Sequence, residues 1–295
     1  MKVELRNRAG TSSCVPASQP RGYIMATCND ACVSLDSIVD WEIDEIERSA
    51  CVSTAIASVS DEKTRKIFEL GLEWLESFVM KPHPDLGRRG PVCPFAKPVH
   101  NENSLIFCVW DADILPFIDF VDVLKKIPES YFRMLARMRG NLKLFSMCLF
   151  VQGITTAQYR RYIDEAHSLT KPAFMEAGLM LGEFHPLSRA QGAHSDIFRP
   201  MRSPQPAFVV RAMSPHDALF IDRPGSPTEV RLRELRQYQR WLGNVLPEAE
   251  NARIRDRIAE LRLAMAAGEV DLMSKLFSNV CTSAKARKPA GGLQR

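Results

Sequence analysis

Four short apolar runs, each bounded by turn residues, constrain this chain more than any other feature. Ser104–Trp110 reads SLIFCVW, Leu142–Gln152 reads LKLFSMCLFVQ, Gly178–Phe184 reads GLMLGEF and Ala207–Met213 reads AFVVRAM. Continuous apolar runs of this length read as strands buried on both faces. Segments with helical spacing lie between the first three runs and flank the whole set. This alternation predicts an α/β or α+β fold: a single sandwich of about four strands with helices packed on it, and helical N- and C-terminal extensions.

The helices have readable ends. Leu35 to Arg48 is a short helix. Ser60 caps a stronger one over Asp61 to Met80, with Ile67, Phe68, Gly71, Leu75, Phe78 and Val79 on one face, and Lys81-Pro82-His83-Pro84 stops it. Asp113 caps Ile114 to Lys126, and a second helix runs from Tyr131 to Arg139 before Gly140. Thr155 or Thr156 opens another, to about Ser168. Ser226-Pro227-Thr228-Glu229 combines an N-cap serine, proline at the first helical position and a capping-box glutamate, starting a helix to Val245. Pro247 separates it from Ala249–Ala267, Gly268 ends that helix, and a last one covers Glu269–Val280. Four segments follow: a disordered stretch over 1–34, an α/β core over 35–222, a helical extension over 223–280 and a basic tail over 281–295. Met25 is an alternative start to Met1.

Composition removes several classes of function. The 295 residues are 45% hydrophobic, yet no run of about 18 apolar residues exists, so no membrane partner is expected. Lys and Arg number 39 against 35 Asp and Glu, a surplus of +4 that is too small to imply nucleic acid. Of eight cysteines, Cys108 and Cys148 lie in apolar runs and read as core residues. Cys28 and Cys32 have no second pair at zinc-finger spacing. With no signal-like N-terminus, the expectation is a cytoplasmic protein with free thiols. A Walker A loop, GxGxxG, HExxH and a GxSxG elbow are all absent from the sequence.

Three stretches carry chemistry. Residues 82–103 contain five prolines and two glycines, and within them Pro91-Val92-Cys93-Pro94-Phe95 restrains a thiol near Arg88, Arg89 and Lys97. Positive charge favours the thiolate, which suits a nucleophile, a metal or heme ligand, or a redox thiol. A buried turn plugging the core would need the same residues. Next, Glu183-Phe184-His185-Pro186 ends an apolar strand, where sheets present side chains to a cleft. Alternation places Glu183 and His185 on one face, which suits a carboxylate orienting an imidazole. The plainer alternative is a structural histidine satisfied inside the core. Finally, Arg199 and Arg202, held among Pro200, Pro204 and Pro206, form a low-entropy clamp for a carboxylate or phosphate, with Arg211 on the following strand. A loop that salt-bridges to neighbouring acids reads the same way.

In order and spacing, Cys93-Pro94-Phe95-Ala96, Phe184-His185-Pro186 and Arg202-Ser203-Pro204-Gln205-Pro206 resemble bacterial families known only as domains of unknown function, in particular family 6875. The resemblance spans about Leu72 to Asp222, and a similar family occurs beside natural-product biosynthesis genes. It implies a role in secondary metabolism and assigns no reaction. A fainter likeness joins Trp74 followed by Pro91-Val92-Cys93 to heme-dependent N-oxygenases of amino-acid guanidines.

The expectation is therefore an enzyme acting on a small anionic molecule in secondary-metabolite biosynthesis. Cys93, His185 and Glu183 would be catalytic, and Arg199, Arg202 and Arg211 would bind substrate. In its sharper form it is a heme-dependent oxygenase with Cys93 or His185 on the iron. The alternative is a non-catalytic module that binds an anionic ligand or a protein partner. A third reading makes all these motifs purely structural.

Overall fold

The computed structural model describes residues 35–113, 115–223 and 225–285, with side chains between 42 and 267. The expected disorder over 1–34 and residues 286–295 of the basic tail lie outside the described residues. All four apolar runs form strands: β2 (Leu105–Asp111), β3 (Ser146–Gln152), β4 (Leu179–Phe184) and β5 (Ala207–Ala212). A fifth, β1 (Cys51–Val52), is only two residues long, too short to leave a period in the sequence. The order is β1-β2-β3-β5-β4. Strands β2 and β3 run parallel, with Leu105 opposite Ser146 and Asp111 opposite Gln152. Strand β5 inserts antiparallel between β3 and β4, pairing Ser146 with Arg211 and Phe184 with Ala207.

Both faces of the sheet are covered, which is why the strands read as unbroken apolar runs. On one face lie α1 (Leu35–Arg48), α4 (Phe117–Arg137) and α5 (Ala166–Glu176), against Ile106, Trp110, Leu149, Leu181 and Phe208. Trp110 stacks on Phe120 with ring centroids 4.2 Å apart. Arg133 and Arg137 of α4 both grip Glu47 of α1, at 2.6 and 2.8 Å. On the other face lies α2 (Glu62–Trp74), with Phe68 and Trp74 packed among Phe107, Cys148 and Phe150, and α3 (Ala96–Asn101) beside it. Gly71 lets α2 settle on the sheet, since a Cβ there would run into the Phe150 ring. Cys108 and Cys148 are buried free thiols, one toward each face, and burial pushes both far up.

Several expected boundaries move. The α2 cap is Asp61, whose carboxylate accepts the Thr64 N–H at 2.7 Å, so Ser60 falls outside the helix. Beyond Trp74 the helix widens into a π turn over Leu75–Val79, closed by Met80 N–H on the Leu75 carbonyl at 2.8 Å. The two helices expected between β2 and β3 are one, α4, which runs through Pro128. Pro128 faces the core with Leu124, Ile127 and Tyr131, and that burial outweighs the ~3 kcal/mol typical of an interior proline. A second π segment, Arg160–Glu165, leads into α5, which passes Pro172 and ends at Glu176, well beyond Ser168.

Helices α6 (Thr228–Leu242) and α7 (Glu248–Lys285) close the end of the sheet. Leu232, Leu235, Tyr238 and Ile258 form a third core with Met175, Met180 and Met213. Pro227 takes the N-cap place of α6, where no side chain caps the first turn, so the expected Ser226 cap is not formed. Helix α7 continues through Gly268 instead of stopping there. A lone glycine costs a helix only ~1 kcal/mol, and the next proline, Pro289, is too far on to enforce a break there. Among the described residues, no helix is long and apolar enough to cross a membrane.

Candidate functional site

The connection from β4 to β5 covers residues 185–206 and is fastened at many points. Gln205 donates to the Ile67 carbonyl of α2 at 2.8 Å, and the Ser203 hydroxyl donates to the Gln205 carbonyl at 2.6 Å. His185 N–H reaches the Met201 carbonyl at 3.3 Å. Phe198 is buried, with ring centroids 4.6 Å from His83 and 5.9 Å from Phe78. Gly87, at φ 74°, brings its turn against the His194 carbonyl, where a Cβ would have no room. The two loops, 82–90 and 185–206, therefore pack on each other and on the end of α2.

Between them lies a cleft of about 390 Å³, lined by Trp74, Phe78, Asp85, Ile197, Phe198, Arg199, Arg202, Ser203 and Pro204. That volume falls within the ~300–1,000 Å³ typical of small-molecule sites. The end of α2 supplies Trp74 and the π turn that follows supplies Phe78; such turns recur at functional sites. Arg199 is held by its Nη1, which donates to the Asp196 and Phe198 carbonyls at 2.5 and 3.1 Å. Arg202 is held by its Nε, which donates to the Ser188 carbonyl at 3.1 Å. Neither guanidinium pairs with a carboxylate among the described residues, although the molecule forms ion pairs freely elsewhere. Trp74 is 8% exposed, and its buried indole N–H has no acceptor. An unsatisfied donor of that kind costs ~1–3 kcal/mol until something accepts from it.

Arg211, expected to belong to the same clamp, is committed elsewhere. Its guanidinium meets the fully buried Asp217 carboxylate with two hydrogen bonds, at 2.9 and 2.5 Å. It also lies over the Phe95 ring at 4.6 Å. Burial works against its charge, but the bond to Asp217 more than offsets this and raises its pKa further. The pair ties the helical turn Pro215–Phe220 to the sheet.

Cys93 packs against the α2 core and is not among the residues that line the cleft. Its N–H donates to the Val79 carbonyl at 2.9 Å, and Val92 N–H donates to the Lys81 carbonyl at 2.9 Å. The thiol is half-buried against the α2 core. Arg88, expected to favour its thiolate, turns back on the loop and donates to the Arg89 and Val92 carbonyls, both at 3.0 Å.

Glu183 and His185 share a face, as alternation predicts, but it is the face toward α5. They do not pair with each other. His185 Nε2 lies 3.0 Å from Asp164 Oδ1, and His185 Nδ1 accepts the Leu187 N–H at 3.2 Å. This arrangement requires a neutral imidazole that donates to Asp164. Glu183 lies 3.2 Å from His167 Nε2, which also meets the Leu181 carbonyl at 3.0 Å. Two His–carboxylate pairs thus cross between β4 and the helix beside it. With both nitrogens of His185 engaged and Cys93 off the cleft, these residues as placed do not form an iron-ligand set for heme.

The six expected site residues therefore separate into three places. Arg199 and Arg202 share the cleft, Cys93 and Arg211 lie on the same face of the sheet, and Glu183 and His185 lie behind it. Sequence reasoning missed Asp85 as a cleft residue, and Asp164 and His167 as partners. The latter two are three apart on one helix, and nothing in their spacing points to β4.

Fold and site together define an α/β sandwich domain with an arginine-lined cleft at the edge of one covered face. The chain belongs to the family described as domain of unknown function DUF6875, whose model matches residues 68–253. That span includes the whole cleft and both His–carboxylate pairs. No curated protein and no solved structure matches the chain.

Proposed function

We propose that this protein binds a small organic anion, seated in the cleft on Arg199 and Arg202 with its apolar part against Trp74, Phe78 and Phe198. The carrying observation is that two guanidiniums line one small cleft and neither has a carboxylate partner. Guanidiniums fixed by backbone carbonyls have already lost their rotamer freedom, so an incoming carboxylate meets preorganised donors. The reading keeps the protein in small-molecule chemistry, as a binder of the molecule rather than as a heme oxygenase. Cys93, Glu183 and His185 become supports of the fold, because each has its own partner or packing away from the cleft.

Thermal-shift and calorimetric titration with aromatic and aliphatic carboxylates tests this. The full chain should melt higher with a fitting carboxylate. Arg202→Ala and Arg199→Ala should each weaken binding by about 1.5–3 kcal/mol, the range for a hydrogen bond to a charged group. Cys93→Ala should leave affinity unchanged while lowering the melting temperature. If Cys93→Ala abolishes binding and Arg202→Ala spares it, the site is elsewhere.

A further inference from the structure

The cleft carries both signs of charge, held apart. We infer that its ligand is a zwitterion, a free α-amino acid with an aromatic or large apolar side chain: the carboxylate sits on Arg199 and Arg202 and the ammonium on Asp85. This rests on the anion-binding reading above and narrows it to one class.

Asp85 lines the same cleft as the two arginines yet pairs with neither. Its nearest cationic candidate is His83 Nδ1, 4.0 Å from Oδ2. That nitrogen accepts the Asp85 N–H at 3.2 Å, so it bears no proton to share with the carboxylate. Opposite charges in a space this small attract, and flexible side chains would collapse onto each other. Here the frames prevent collapse. Asp85 stands on the helical turn Pro84–Leu86, fixed by Pro84 before it and by left-handed Gly87 after it. Arg199 and Arg202 are tethered to carbonyls of their own loop. What satisfies both ends is a molecule that carries an anionic and a cationic group. The remaining walls, Trp74, Phe78 and Phe198, are aromatic and leave a side chain of the same character as the third point of contact.

Isothermal titration of the full chain with L-phenylalanine, L-tryptophan and L-leucine, against 3-phenylpropanoate and 2-phenylethylamine, tests the inference. At least one amino acid should bind. 3-Phenylpropanoate, lacking the ammonium, should bind roughly fivefold more weakly than phenylalanine, matching one partly exposed ion pair. The amine should not bind. Asp85→Asn should remove the preference for phenylalanine over 3-phenylpropanoate without weakening binding of the latter, whereas Asp85→Glu should retain part of the preference. Asp85 is half-exposed, so both variants should melt as the parent does. If 3-phenylpropanoate binds as well as phenylalanine and Asp85→Asn changes neither, the zwitterion is wrong and the anion reading stands. If no acid in the set binds, amino acids included, both fall.

Discussion

Arg211 and Arg202 differ at the residue scale only in what stands opposite them. Sequence shows two arginines near prolines; it does not show that Asp217 lies buried against one and no carboxylate near the other. The partner is a tertiary fact, so residue type was legible and role was not. The consequence is measurable. Arg211→Ala strands the Asp217 carboxylate, which is fully buried, and should cost about 3–5 kcal/mol in urea unfolding. Arg202→Ala should cost little stability, since its loss removes one bond to the Ser188 carbonyl. Glu42 is the other residue with an environment worth testing. It is almost fully buried, and the Trp110 indole N–H donates to it at 3.1 Å. Burial raises its pKa above 4.5, with Glu45 and Asp111 adding to the rise and Trp110 opposing it. The unfolded chain therefore releases this proton at lower pH than the folded one. Folding loses stability as pH climbs from 4.5 toward the folded value, and below 4.5 the group contributes nothing. Glu42→Gln keeps an acceptor for Trp110 and should melt higher than the parent above pH 4.5. The difference should vanish in melts run below that pH.

At the scale of elements, the strands were legible because both faces are covered, and the bounds of α1 and the start of α6 were legible from pattern although no side chain caps α6. Two helices run on past the ends expected for them, through Pro128 and Pro172, since packing at helical spacing overrides one missing hydrogen bond. The π turns at Leu75–Val79 and Arg160–Glu165 had no signal at all, because an extra residue in a turn changes no residue type. They matter, since one holds Phe78 at the cleft and the other holds Asp164 under His185. The packing of loop on loop should be equally sensitive at a single point. Gly87→Ala adds a methyl against the His194 carbonyl at a left-handed position. It should destabilise the protein by about 1–3 kcal/mol and raise proteolytic cutting within 185–206. Ligand affinity should fall with it, since Arg199 and Arg202 ride on that loop. Unchanged cutting together with unchanged affinity would mean that the loop does not depend on this contact.

For the whole molecule, the sequence conveyed the number of long strands, the helical extensions and the family pattern. It did not convey the order of neighbours. Chain order suggested that Cys93, His185 and the arginines converge; the sheet keeps His185 from the others, because Phe184 turns toward Trp74 while the residues on either side of it turn toward α5. Which face a residue takes is set by register, and register is set by β5 entering between β3 and β4.

That insertion also bears on how the protein is made. A ribosome delivers β4 before β5, yet β4 has no place in the sheet until β5 lies beside β3. From the emergence of Gln152 until Ala207 follows, β3 offers an open apolar edge to any passing strand. Loop 82–90 precedes that interval and the arginine loop falls inside it, so the cleft is completed only as the edge is closed. A nascent chain stalled in the 185–206 segment would be without its binding site and would also be exposed to aggregation, two hazards with one topological cause.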